Sequence, residues 1–134
     1  MTKVGEHITL DIIGTTKEYD PSVFEKIIYD IAKAAKVTIL NISKYKFEPQ
    51  GFTILALLAE SHISFHTFPE KGIISFDFFT CGKINPSVAV EIIKKEFEHK
   101  RIVKKEFYRD TKSLYHDIYL SLIHISEPTR LAEI

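Results

Sequence analysis

Hydrophobic and polar residues alternate in several stretches of this chain, a pattern that predicts half-buried β-strands. In residues 7–13, Ile8, Leu10 and Ile12 lie on one face, while His7, Thr9 and Asp11 lie on the other. Further runs rich in β-branched, aromatic or aliphatic residues predict strands at 37–43, 53–59, 61–68, 73–81 and 101–108. Pro-Glu-Lys-Gly at 69–72 is a turn signal, so the strands on either side of it are expected to form a hairpin.

Two segments show the helical spacing of apolar residues instead. Asp20 and Pro21 supply an N-cap and a proline for the first helical position, and an apolar face follows from Phe24 onward. A second helix is expected to start at 85–87, Asn-Pro-Ser. Its apolar stripe from Ala89 to Phe97 is interrupted at Glu96.

The predicted element order is β-α-β-β-β-β-α-β. Each helix has one apolar face, so the simplest architecture is an α+β two-layer sandwich, an antiparallel sheet with both helices on one side. On the other side of the sheet, Ser75, Asp77 and Phe79 form a mixed row. Such a face often packs against another subunit.

Composition narrows the range of functions. The 134 residues predict one domain, and 18 basic residues balance 18 acidic ones, which argues against a nucleic-acid or anionic-membrane surface. No apolar run approaches a bilayer span, and the first residues lack the apolar region of a signal peptide. The single Cys81 cannot form an internal disulfide, so a cytoplasmic location is expected.

The segment 60–82 holds the candidate chemistry. The predicted hairpin would bring Cys81 back toward Ser61 and His66, so that a hydroxyl, an imidazole and a thiol meet at one end of two strands. Spacing alone leaves a structural alternative open. A serine and a histidine five residues apart are common, and a lone cysteine is often a small buried apolar residue.

Several separated motifs resemble the short, prokaryotic S-adenosylmethionine decarboxylase proenzymes. They are Gly5-Glu6-His7, the segment 47–53 (Phe-Glu-Pro-Gln-Gly-Phe-Thr), Glu60-Ser61-His62, the segment 66–70 (His-Thr-Phe-Pro-Glu) and the segment 79–82 (Phe-Thr-Cys-Gly). The resemblance covers about residues 1–120. It does not cover 121–134, which is either a frameshift- or adaptor-derived scar or a family-specific tail.

The resemblance implies a self-cleaving enzyme whose cofactor is a pyruvoyl group made from Ser61, without pyridoxal phosphate or a metal. Cleavage between Glu60 and Ser61 would give a β chain of residues 1–60 and an α chain from 61. The implied substrate is S-adenosylmethionine, decarboxylated to the aminopropyl donor for spermidine synthesis. The implied assembly is a homodimer in which two sheets stack face to face.

The same resemblance implies a role for each motif residue. His66 is the base of self-cleavage, Thr53 stabilises its cyclic intermediate, and Cys81 is the acid that reprotonates the substrate α-carbon. An imidazole and a mostly protonated thiol suit these roles at neutral pH. Phe47 and Glu70 are expected to contact the substrate. His7 and His62 are interpreted as structural. The family often has a larger aromatic residue where this chain has Phe68, which leaves the detailed substrate contacts open.

Two other readings remain open from the sequence. The motifs that form the cofactor would be the same in a pyruvoyl decarboxylase of ornithine, arginine or another amino acid. A non-catalytic α/β module would fold and dimerise but stay uncut, with Ser61 intact.

Overall fold

The computed structural model describes residues 3–81, 83–110 and 131–133, and it contains every predicted helix and strand. In chain order the elements are β1 (Lys3–Ile13), α1 (Pro21–Ala35), β2 (Ile39–Lys46), β3 (Phe52–Leu58), β4 (Ser61–Phe68), a single 3-10 turn (Pro69–Lys71), β5 (Ile73–Cys81), α2 (Val88–Glu96), β6 (Arg101–Asp110) and β7 (Leu131–Glu133).

The strands form one antiparallel sheet in the order β2-β3-β4-β5-β1-β6-β7. The α+β class and the predicted order are confirmed through β6. The fold expected from the sequence ends before residue 121, but Leu131–Glu133 adds a seventh, edge strand against Val103–Lys105. The rest of the tail lies outside the described residues.

Both helix starts follow from local side-chain chemistry. The Asp20 carboxylate accepts a hydrogen bond from the Ser22 backbone N–H at 2.9 Å, and Pro21 occupies the first turn, as predicted. The second helix begins later than predicted. The Asn85 amide oxygen accepts from the Ser87 N–H at 3.0 Å, which holds 85–87 in a turn, and α2 starts at Val88.

The core lies between the two helices and one face of the sheet. Alternate residues of β1, β3, β4 and β5 are buried there, which confirms the predicted inward positions Ile8, Leu10 and Ile12. Phe24 of α1 is central to this layer. Its ring lies 5.4 Å from Phe52, 5.3 Å from Phe65 and 5.3 Å from Phe97, measured between centroids.

The opposite side of the sheet, here called the open face, carries the remaining alternate residues. Hydrogen-bonded register aligns them in rows across β3, β4, β5 and β1: Thr53, His66, Ser75 and Asp11; Leu55, Ser64, Asp77 and Thr9; Leu57, His62, Phe79 and His7. This face combines polar groups with exposed apolar side chains, as the mixed pattern of β5 predicted. In the part of the chain that is described, neither helix is long and apolar enough to cross a membrane.

We expect residues 121–134 to be dispensable for folding. Among the residues that the structure describes, β7 pairs with three residues of β6, and the side chains of the core cluster belong to residues 8–102. A chain ending at residue 120 should therefore keep nearly the same unfolding midpoint in urea. Phe65→Ala in the same background is the matched comparison and should cost about 3–5 kcal/mol, because it opens a cavity among core aromatic rings. An unfolded truncated chain would contradict this expectation.

Candidate active site

The candidate site is arranged along β4, whose two neighbours in the sheet are β3 and β5. Thr53 on β3 lies directly across from His66 on β4, and both side chains are on the open face. The Thr53 Oγ1 and His66 Nδ1 atoms are 3.0 Å apart, a hydrogen bond in which the tautomer decides which group donates. The two residues that the sequence put in a processing role are therefore in direct contact.

The two predicted substrate contacts, Phe47 and Glu70, lie at the same end of the sheet as Thr53 and His66. Phe47 begins the loop before β3, is 47% exposed, and packs its ring 4.8 Å from that of Tyr45. It is therefore not a core residue. Glu70 lies in the 3-10 turn after β4 and accepts a hydrogen bond from the Gln50 amide at 3.2 Å. We call this region, with Thr53, His66, Phe47 and Glu70, the His66 end.

Ser61 and Cys81 lie at the opposite end of the sheet, called the Ser61 end. Ser61 opens β4 after a two-residue turn of Ala59 and Glu60, and its hydroxyl is 3.5 Å from the Ala59 carbonyl oxygen. Its side chain is only 7% exposed. Cys81 ends β5 with a free, partly exposed thiol. Strand alternation puts Cys81 on the open face and Ser61 on the helix-covered face.

The expectation that Ser61, His66 and Cys81 meet at one end of the hairpin is wrong for a single chain. The register pairs His66 with Ser75, which lies in the middle of β5, whereas Cys81 is its last residue. Five residues of extended chain separate Ser61 from His66, roughly 17 Å along the strand. An odd number of steps also puts the two side chains on opposite faces. The hairpin was predicted correctly and brings Cys81 to the Ser61 end, but the extended length of β4 keeps His66 away from both residues.

The structure reveals a cluster near the Ser61 end that the sequence analysis treated as structural. His7 Nε2 lies 2.8 Å from Asp77 Oδ1, and the rings of His7 and His62 are 6.3 Å apart, edge to face. His62 directly follows Ser61. The alternation of polar residues in β1 and β5 was the available signal, because it puts His7 and Asp77 on one face. The pairing itself needed the strand register.

Burial lowers the pKa of the His62 imidazole, and the neighbouring His7 lowers it further. Asp77 opposes this effect but does not outweigh it. The neutral form of the His62 imidazole is therefore favoured. Its ring faces Phe79 at a centroid distance of 5.8 Å, which is consistent with an uncharged packing role.

A second polar pair lies in the same row as Thr53 and His66. The Ser75 hydroxyl donates to Asp11 Oδ1 at 3.1 Å. Ser75 is the cross-strand neighbour of His66, so two hydrogen-bonded pairs lie side by side across four strands. This row puts the Asp11 carboxylate on the open face, two strands away from the His66 imidazole, an arrangement the sequence did not predict.

Gly5 of the opening motif has a packing reason. It lies across from Cys81 in the β1–β5 pair. A Cβ on Gly5 would come within 2.6 Å of the Thr80 carbonyl oxygen and 2.8 Å of the Phe79 ring. Glycine therefore lets β1 lie against the strand end that carries Cys81. Thr80 also donates its hydroxyl to the Ile84 carbonyl at 2.8 Å, which fixes the chain after β5.

Known proteins match this chain over nearly all of the described sheet. A proenzyme from Prochlorococcus marinus strain MIT 9313, named S-adenosylmethionine decarboxylase proenzyme, is 42% identical over 111 residues, covering 81% of this chain and 89% of that protein. One of the same name from Methanococcus maripaludis strain C7 is 38% identical over 105 residues, covering 76% and 86%.

Solved structures agree with these sequence matches. The crystal structure of adenosylmethionine decarboxylase from Aquifex aeolicus superposes with a TM-score of 0.71 at 33% identity, covering 81% of this chain and 92% of that one. The Trypanosoma brucei AdoMetDC-delta26 monomer, at 15% identity and a TM-score of 0.56, shares the fold over 75% of this chain and 45% of its own. The family model described as S-adenosylmethionine decarboxylase matches residues 6–110, and the chain belongs to that family.

Proposed function

We propose that this chain is the proenzyme of a pyruvoyl-dependent S-adenosylmethionine decarboxylase, which cuts itself between Glu60 and Ser61. Its product would be the aminopropyl donor used in spermidine synthesis. Relatives that cover most of the chain carry that enzyme's name. Neither ornithine nor arginine appears in those names, so S-adenosylmethionine is the favoured substrate.

The position of the Glu60–Ser61 bond carries the proposal. The bond leaves a two-residue turn and enters β4, and Leu58 pairs with Ser61 at the end of the ladder. Cutting the chain there removes no residue from the sheet, so both fragments stay hydrogen-bonded in place. The new N-terminus of the α chain would lie at the Ser61 end of the sheet, as Cys81 does. Ser61 thus fits the requirement that the cofactor be made in place from the chain itself.

Self-cleavage requires a hydroxyl nucleophile, a group that stabilises an oxyanion, and a base. The Ser61 hydroxyl adds to the Glu60 carbonyl carbon, the C–N bond breaks, and the amide becomes an ester. Removal of the Ser61 α-proton then expels Glu60 as a carboxylate, and water replaces the amino nitrogen, which leaves as ammonia. A hydroxyl such as that of Thr53 stabilises the oxyanion of the first step, and the His66 imidazole accepts the α-proton of the second.

These groups meet if two chains share each site, because the atoms on which Thr53 and His66 act, the Glu60 carbonyl oxygen and the Ser61 α-proton, belong to the backbone and are not confined to the face of the Ser61 side chain. Within one chain His66 lies too far from Ser61 to act on it, because the strand between them is extended. Ser64 lies midway between Ser61 and His66 along β4, on the open face. A two-fold axis that passes near Ser64, perpendicular to the strand, would put the His66 end of each chain over the Ser61 end of its partner. An isologous dimer would then have two equivalent sites.

The open face has the character that such a dimer requires. Leu55 is 47% exposed, Leu57 is 54% exposed and Tyr45 is 65% exposed, and register puts all three on this face. Single exposed apolar residues are ordinary, but a contiguous group marks an interaction surface. Stacking two copies would cover these side chains and would remove water from both halves of the site. This supports the sheet-to-sheet homodimer expected from the resemblance.

In turnover the pyruvoyl group would supply an electron sink for the carbanion left when carbon dioxide departs. Cys81 is placed at the same end of the sheet, and its free thiol holds a proton at Sγ for the substrate α-carbon. At the partner's His66 end, the exposed Phe47 ring offers an aromatic face to a sulfonium or adenine. The Glu70 carboxylate can accept hydrogen bonds from ribose hydroxyls.

The first test is cleavage itself. Wild-type protein should separate into two fragments, the second with a blocked N-terminus at position 61, whereas Ser61→Ala should stay whole because no hydroxyl remains. Intact-mass spectrometry reads both outcomes. The cleaved protein should release carbon dioxide from S-adenosylmethionine but not from ornithine or arginine. A wild-type chain that stays intact after long incubation would contradict the proposal.

The second test asks whether two chains share the site. Ser61→Ala and His66→Ala chains are expressed together, so that a mixed dimer pairs an intact Ser61 with an intact His66 from the other chain. Roughly half of the His66→Ala chains should then be cut, because random pairing gives half of them a partner that retains His66. Mass distinguishes the two chains, and the Ser61→Ala chain should remain whole.

The matched control replaces the Ser61→Ala chain with a Ser61→Ala/His66→Ala double variant, which lacks the imidazole and should rescue nothing. Absence of cutting in both mixtures, when both variants form dimers, would show that His66 acts within its own chain, whereas cutting in both mixtures would show that self-cleavage does not need His66.

The third test separates cleavage from turnover. Cys81→Ala should be cut like the wild type, since neither the hydroxyl nor the base is altered. Its rate of decarboxylation should fall by about two orders of magnitude or more, the usual size of a lost general acid. Carbon dioxide release per cleaved chain is the measurement. Wild-type turnover by the variant would make Cys81 a structural thiol.

A further inference from the structure

The backbone of Glu60 has an unusual conformation at the bond that self-cleavage would break. Its φ angle is +62°, in the left-handed region that side-chain-bearing residues seldom adopt. Among the described residues, glycines occupy the positive-φ positions 14, 51 and 72. In the described part of the chain, Lys36 and Glu60 are the two non-glycine residues with a positive φ. Lys36 ends α1, where a left-handed residue is common, whereas Glu60 lies in a turn that usually takes glycine or asparagine.

The turn that holds Glu60 is fixed on both sides. Leu58 pairs with Ser61, so only Ala59 and Glu60 lie outside the ladder. The Ala59 N–H donates to the Thr38 carbonyl at 3.0 Å, which ties the turn to the segment before β2. The nearly buried Ser61 hydroxyl lies 3.5 Å from the Ala59 carbonyl oxygen. Both neighbours of Glu60 are therefore anchored, and its own backbone angles decide the direction of the Glu60 carbonyl.

That direction matters for the first chemical step. The bond that forms joins Ser61 Oγ to the Glu60 carbonyl carbon, and the bond that breaks joins that carbon to the Ser61 nitrogen, which receives the hydroxyl proton. The hydroxyl must approach one face of the planar peptide group, so the orientation of that plane controls the reaction. A residue with a Cβ has only a narrow left-handed well, which holds the plane in one orientation.

We propose that the left-handed backbone of Glu60 is a positioning element of self-cleavage, which holds the Glu60 carbonyl within reach of the Ser61 hydroxyl. The Glu60 side chain is not needed for this step. The inference rests on the proposed self-cleavage. In the first step of that reaction, the backbone of Glu60, and not its carboxylate, orients the carbonyl group. Cleavage turns Glu60 into a free chain end and releases the strained angle.

Four substitutions test the proposal by their tolerance of positive φ. Glu60→Gln removes the charge but leaves the cost of holding a residue with a Cβ at positive φ unchanged, so this variant should be cut at the wild-type rate. Glu60→Asn and Glu60→Gly accept the left-handed region and should stay within about fivefold of that rate. Glu60→Ile should be at least about tenfold slower, because a β-branched residue is an outlier at this φ.

Hydroxylamine identifies the step that is slowed, since it cleaves an ester but not an amide. Glu60→Ile should give an intact chain that resists hydroxylamine, whereas His66→Ala, with the turn unchanged, should accumulate a sensitive ester. Lys36→Ile is the matched control, because it puts the same residue at the other strained position and should be cut normally. Thermal unfolding confirms that each variant is folded.

Three results would overturn the role of Glu60. The first is a Glu60→Ile chain that is cut as fast as the Glu60→Gln chain. The second is slow cleavage of the Glu60→Gln chain, which would assign the step to the carboxylate. The third is cleavage of the Glu60→Asn and Glu60→Gly chains that is slowed as much as that of the Glu60→Ile chain. Each of these leaves the proposed function standing if the wild type is cut. An uncut wild-type chain would remove both proposals.

Discussion

The antiparallel ladder through β3, β4 and β5 is the constraint on which the candidate site depends. It puts Thr53 opposite His66 and fixes the 3.0 Å contact between their side chains. The same ladder keeps Ser61 and His66 apart, because β4 is extended between them. In the proposed self-cleavage, the two groups would therefore come from two chains. The geometry of one strand thus connects the proposed chemistry with the proposed assembly.

The division of the sheet into two faces explains what each surface can do. Helices α1 and α2 cover one face, and the aromatic layer around Phe24 fills the space between. The open face keeps hydrogen-bonded polar pairs, His7 with Asp77 and Ser75 with Asp11, among exposed leucines and a tyrosine. Polar pairs of this kind are stronger when water is excluded. A second sheet stacked on this face would provide that environment.

The turn at Ala59 and Glu60 combines two demands. A two-residue connection keeps β3 and β4 in register up to Ser61, and it requires a left-handed residue. If the chain is cut at the Glu60–Ser61 bond as proposed, the left-handed residue stores local strain at that bond, and the sheet on both sides keeps the turn in place. The stable ladder and the reactive bond are therefore parts of one structural unit.

The sequence alone determined the α+β class, the element order through β6, the inward face of β1 and the motif residues of the family. These depend on side-chain periodicity and on local caps such as Asp20, which act over a few residues. It did not determine how the hairpin pairs, that His66 faces Thr53 and not Ser61, that His7 pairs with Asp77, or that Leu131–Glu133 joins the sheet. Those depend on strand register and on contacts between residues up to 70 positions apart. Tertiary structure decided them, because a shift of one residue in an extended strand moves every side chain to the other face.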